Sequence, residues 1–219
     1  MYFAFIAMEN QKVKITIKPT NPNLALIFSS FFIGLKEYKK LGEALAYASK
    51  KLQADKEIVM AAISRNAGAL QFASKELQSD KAIVLAAVKQ DGWALKYASK
   101  ELQSDKEIVM AAISQSGNKF DALSNASKEL QSDKEIVMAA VSQFGPSLAS
   151  ASKALKSDKE IVLAAVTQDY WALQYASKAL KSDKEIVLAA VTQDGNALEF
   201  ASKKLQSDKD VIKAAKSKK

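Results

Sequence analysis

The side chains with chemical potential in this 219-residue chain are carboxylates, lysines and serines, and they recur in a fixed pattern. Asp105 precedes Glu107 by two residues, and Asp133/Glu135, Asp158/Glu160 and Asp183/Glu185 repeat that spacing inside Ser-Asp-Lys-Glu. Paired carboxylates can share a proton or hold a cation. A catalytic pair would occur once, whereas these recur along the chain, which assigns them a structural duty. Ala-Ser-Lys recurs as well, at 98–100 and 176–178, but a serine nucleophile needs a general base, and the chain contains no His and no Cys. Thiolate and imidazole metal clusters are absent for the same reason, and the glycines stand singly instead of forming a phosphate-cradling loop. These residues predict a non-enzymatic protein with no cofactor and no metal site.

The aspartate of the Ser-Asp-Lys corner falls at Asp55, Asp80, Asp105, Asp133, Asp158, Asp183 and Asp208, at spacings of 25, 25, 28, 25, 25 and 25. A fixed period of this size marks a repeat array. Units are placed at 54–78, 79–103, 104–131, 132–156, 157–181 and 182–206, six helical repeats over 54–206. They follow a degenerate N-terminal capping repeat over 24–53 and precede a capping half repeat over 207–219. Each unit reads as two short helices. The first is predicted to open with a capping box, Ser104 with Glu107 or Ser157 with Glu160. It runs through Ile-Val-x-Ala-Ala-Val and stops at Gly42, Gly92, Gly117, Gly145 or Gly195, where positive φ is inexpensive. The second carries Ala-Leu-x-aromatic-Ala-Ser-Lys-x-Leu, and Pro146 starts it in one unit. In the last copy Lys213 and Lys216 replace the Leu and Val of Leu188 and Val191, which predicts a face turned to water and makes Leu188 a residue stacked under the next repeat.

Departures from the pattern carry more information than the pattern itself, because the scaffold does not need them. Trp93 and Trp171 fill a slot that elsewhere accepts Gly68, Asn118, Pro146 or Asn196, and a slot with such tolerance is exposed. Tyr170 occupies the glycine position beside Trp171, giving a corner with two adjacent rings suited to anchoring a partner. The ring slot of Tyr47, Phe72, Tyr97, Tyr175 and Phe200 becomes Asn125 and Ser150 in consecutive units, the first of which gains three residues around Phe120. Either Phe120 and Phe144 swing in to fill the space, or the two missing rings leave a groove for a partner side chain or small ligand.

Tyr2–Met8 and the alternating Val13–Lys18 predict a small N-terminal β-hairpin, acting as a lid on the first helices or pairing with a partner strand, with 19–23 as a linker. The apolar runs Tyr2–Met8 and Leu24–Leu35 are too short to span a bilayer, so the chain is read as soluble, and its lack of cysteine suits a reducing compartment. Net charge is +8, but residues 52–209 hold 20 basic and 20 acidic side chains, leaving +5 in 1–51 and +3 in 210–219. A protein tracking a phosphate backbone would carry its basic stripe along the repeats, so nucleic acid is not the expected partner.

The recurring Ala-Ser-Lys-x-Leu-x-Ser-Asp-Lys-Glu-Ile-Val-x-Ala-Ala-Val-x-Gln-x-Gly resembles the tandem repeats of domain of unknown function 4116, over residues 29–219. The resemblance implies an all-helical array and transfers no catalytic residue. Together these readings predict an all-α solenoid of short two-helix repeats with a small N-terminal β-hairpin, serving as a protein–protein interaction scaffold. The alternative is a structural subunit of a larger assembly, anchored by the apolar N-terminal segment. Candidate partner-binding residues are Trp93, Phe120, Asn125, Phe144, Ser150, Tyr170 and Trp171.

Overall fold

The computed structural model describes residues 44–117 and 119–217, together with the backbone of 5–9 and 12–16. In the latter, Phe5–Glu9 (β1) and Lys12–Thr16 (β2) run antiparallel with Met8 opposite Val13. The expected lid contacts, the linker over 19–23 and the degenerate repeat as far as residue 43 lie outside the described residues. The chain forms two compact units, Met1–Leu102 and Gln103–Lys219.

The Ile-Val-x-Ala-Ala runs form the long helices. The first unit contains α1 (Lys56–Arg65) and α2 (Lys81–Gln90). The second contains α3 (Lys106–Ser116), α4 (Lys134–Gln143), α5 (Lys159–Gln168), α6 (Lys184–Val191) and α7 (Lys209–Lys216). Each begins at the corner aspartate, which corrects the capping box by one residue. Asp158 Oδ1 accepts from the backbone N–H of Glu160 at 3.0 Å and of Ile161 at 3.2 Å. Ser157 still belongs to the preceding 3-10 turn, Leu155–Ser157, and its hydroxyl donates back to the Lys153 carbonyl at 3.3 Å. A cap residue must be extended where the helix starts, and the extended residue is the aspartate, at φ −81° and ψ 118°.

Gly117 ends α3 at positive φ as expected, but other helix ends differ from expectation. Asp91 closes α2 by donating its N–H to the Ala87 carbonyl, and its side chain then accepts from Trp93 N at 2.9 Å to start the next segment. One extended Asx residue thus ends one helix and caps another; Asp169 does the same between α5 and Tyr170. Among the described glycines only Gly117 has positive φ, 52°. Gly145 and Gly195 instead open the following segment, where an added Cβ would run into the carbonyl oxygens of Ala165 and Ala215 in the next repeat. Glycine is used at these two positions for close approach between repeats.

The predicted second helix is broken in two. Its first part is a six-residue 3-10 helix, as in Gly92–Tyr97, Tyr170–Tyr175 and Gly195–Phe200. It stops at an extended alanine, Ala98 at ψ 157°, and a one-turn piece follows, for example Leu102–Ser104. Isolated 3-10 runs of this length are uncommon, so packing must hold them. Within the second unit α3 to α7 stack in order as one layer and the 3-10 helices stack as another, with Ile161, Val162, Leu173, Ile186 and Val187 fully buried between them. In the first unit α1 packs on α2, and Ala67–Phe72 on Gly92–Tyr97, in the same way. The serine of Ala-Ser-Lys caps the one-turn piece: Ser177 Oγ accepts from Leu180 N at 3.4 Å, while Ser177 N–H donates to the Lys156 carbonyl of the preceding repeat at 2.9 Å.

The lysine of each corner reaches its successor. Lys134 Nζ lies 2.8 Å from Asp158 Oδ2 and 2.8 Å from Glu160, and Lys159 binds Asp183 and Glu185 at the same distances. Lys106 holds Asp133 and Glu135, Lys184 holds Asp208 and Asp210, and in the first unit Lys56 holds Asp80. Asp80, Asp133, Asp158 and Asp183 therefore commit Oδ1 to their own helices and Oδ2 to the preceding repeat. Lys134 and the Ile161 N–H hold the Asp158 carboxyl below its ordinary range, and the two carboxylates raise the Lys134 ammonium above its own. These pairs are exposed to solvent, so each adds little stability, and their main effect is on register.

Candidate functional site

The aromatic corner in the second unit is held rigidly. Trp171 N–H caps onto Asp169, its indole Nε1–H donates to the Tyr170 hydroxyl at 2.7 Å, and its ring meets Phe200 of the next repeat at 5.3 Å between centroids, tilted by 50°. Despite these contacts Trp171 remains 46% exposed. Tyr170 is half-buried. Trp93 in the first unit is 42% exposed. Because residues three apart eclipse in a 3-10 helix, Lys96 sits over its ring, with Nζ 4.7 Å from the centroid.

Beside Trp171 opens a cleft of about 620 Å³, floored by Leu198, Ile212 and Ala215 and edged by Glu199, Gln206 and Lys216. Ile212 and Leu198 occupy slots that are fully buried one repeat earlier, at Val187 and Leu173, but here both are half-buried. Lys213 and Lys216 are exposed, whereas Val191, the counterpart of Lys216, is fully buried. Leu188 is only half-buried, which corrects the expectation that it is stacked beneath the next repeat. At about 100° per residue, Val187 and Val191 lie roughly 40° apart on the covered side of α6, and Leu188 falls about 60° beyond Val191, at the margin.

The central irregularity involves a residue that the sequence reading passed over. Anchored on Ala122-Leu123, Asp121 occupies the slot of Trp171, and Ser150 occupies that of Phe200. Both pairs are 29 residues apart. Where Trp171 stacks on Phe200, the Ser150 hydroxyl donates to Asp121 Oδ2. A ring pair has been exchanged for a hydrogen bond at the same inter-repeat position. Asp121 Oδ1 and Asn125 Nδ2 are buried without a partner. Phe120 and Phe144 are both half-buried. Phe144 takes the Asx position and offers no side-chain cap to Gly145–Ser150; the Gln168 amide oxygen of the next repeat accepts from Gly145 N–H instead. The insertion around Phe120 hid the register that would have revealed Asp121.

Repeated helical units in two stacked layers, joined by nearest-neighbour contacts, define a helical-repeat protein. The chain belongs to the family described as Domain of unknown function (DUF4116), whose profile matches residues 38–78, 80–131, 133–181 and 183–219. No curated protein and no solved structure matched the chain. Among the described residues no helix is long and apolar enough to cross a membrane.

Proposed function

We propose that this repeat protein is a non-enzymatic protein–protein interaction scaffold, organised as a solenoid whose main contact surface is the Tyr170–Trp171 corner with its adjoining cleft. The observation that carries the reading is the half-exposed Trp171 ring, locked by Tyr170 and Phe200 at the edge of an apolar-floored cleft. A large ring that is ordered before binding loses little freedom on association, which favours it as an anchor. Trp93, Phe120, Asn125, Phe144 and Ser150 form secondary candidate contacts, and the N-terminal segment folds as a β-hairpin lid ahead of the first repeat. The test compares proteins retained from extract of the source cells by the parent chain and by Trp171→Ala. A partner held by the first and lost by the second, with both proteins melting within a few degrees of each other, supports the reading. Identical retention by the two refutes it.

A further inference from the structure

We infer that the exposed end of the second unit, formed by α7 and Gly195–Phe200, docks a helix of acidic character from a partner protein, a helix that opens with an Asp-x-Glu corner and carries carboxylates along the face it presents. The inference rests on the scaffold reading above and supplies the partner's chemistry.

The precedent is the molecule's own repeat interface. Lys106, Lys134, Lys159 and Lys184 each clasp two carboxylates spaced i and i+2 at the start of the following helix. Lys209 holds the same position on α7, is exposed, and has no carboxylate within ion-pair distance among the described residues. The acids of its own corner, Asp208 and Asp210, are already taken by Lys184. Ile212 and Leu198 offer the apolar floor that Val187 and Leu173 offer to a following repeat.

Two lysines decide between a partner and another copy of the same unit. A consensus repeat laid on this end would cover the Lys216 ammonium as α7 covers Val191, and burying an unpaired ammonium is costly. Lys213 adds a second cation on the same margin, while the acidic side chain lining the cleft is the single Glu199. The fitting occupant keeps the acidic corner of the repeat and replaces its apolar contact residues with carboxylates. Opposed charges of this kind also steer the encounter.

The test uses two synthetic peptides, acetylated, amidated and stapled on the solvent face, because free helices of this length are marginal in water. One has the sequence of residues 207–217, and the other carries Val211→Glu and Ala215→Glu, the positions by which α7 itself packs on the preceding repeat. Each is titrated into the full chain carrying Trp93→Phe, with Trp171 emission and backbone amide shifts as readouts. The acidic peptide should saturate, shift the amides of Lys209, Ile212 and Lys216, and bind at least tenfold more tightly than the unchanged peptide. Lys216→Glu in the protein should weaken it about tenfold and reverse the preference. Equal binding of the two peptides, preference for the unchanged one, or binding of neither overturns the inference. A cellular partner that is lost with Trp171→Ala yet indifferent to Lys216→Glu would overturn this inference alone and leave the scaffold reading standing.

Discussion

Equivalent positions on successive helices should respond in opposite ways to the same exchange of side chains. Val191 on α6 is fully buried, and Lys216, which fills its slot on α7, is exposed. Val191→Lys removes about 1.5–3 kcal/mol of apolar burial. The ammonium adds a desolvation cost, reduced because this residue ends α6 and a long side chain can lean toward water. The net loss should be about 2–4 kcal/mol, equivalent to a fall in Tm of roughly 4–16 °C for a chain of this size. Lys216→Val should change stability by no more than about 0.5 kcal/mol, as expected at an exposed position. It would also enlarge the apolar end and raise the apparent mass in light scattering at high concentration. Urea titration followed by far-ultraviolet circular dichroism measures both variants. If Val191→Lys unfolds at the parent midpoint, or Lys216→Val loses as much as its counterpart, the assignment of covered and uncovered faces is wrong.

Other perturbations separate the remaining parts of the argument. Asp158→Ala removes both the helix cap and the Lys134 pair and should cost about 0.5–2 kcal/mol, whereas Asp158→Asn keeps a good cap and should cost less than about 1 kcal/mol in denaturant melts. The Asp80, Asp133, Asp158 and Asp183 carboxyls are all held below their ordinary values, by their lysine partners and the capped N–H groups. Their contribution is therefore complete above the unfolded value near pH ~3.9 and is lost as pH falls through the lower folded values, so Tm should be level from about pH 7 to 5 and decline below about pH 4. Gly195→Ala should destabilise by about 1–3 kcal/mol through the Ala215 backbone, and a thermal melt equal to the parent's would show that the repeats can part without cost. Ser150→Ala leaves Asp121 without its hydroxyl donor and should cost about 1–3 kcal/mol, with the Asp121→Ala/Ser150→Ala double variant losing less than the sum of the single changes.

Much of this organisation was legible from residue spacing alone. The 25-residue period located the long helices, and the tolerance of one slot for Gly, Asn and Pro correctly marked Trp93 and Trp171 as exposed. Caps were harder, because Ser-x-x-Glu satisfies a known box while the aspartate between them competes for the same N–H groups. The distinction depends on which residue is extended, and composition does not encode that. The 3-10 helices escaped notice because Ala-Leu-x-aromatic suits an α-helix equally well, and stacking selects the tighter coil. The glycine reading held at Gly117, which ends α3 at positive φ, but Gly145 and Gly195 were assigned to the wrong cause: their small size was readable, but whether it served φ or proximity required the neighbouring carbonyl. Asp121 stayed hidden behind a three-residue insertion, and the lysine ladder behind the assumption that a charged corner serves only its own helix.

That ladder has a consequence for how such a chain can change its length. Each corner consults only its successor, and from Asp133 onward each presents two carboxylates backward to the lysine of the unit before; at Asp80 the pair is reduced to one, because Ala82 stands in the second position. Excising 157–181 would bring Lys134 to Asp183 and Glu185, the chemistry that it already finds at Asp158 and Glu160. Duplicating the unit would likewise leave no stranded charge at the junction. Copy number can thus change by slippage between nearly identical segments while the ladder stays paired, so that reach can be altered without redesigning the charged corners.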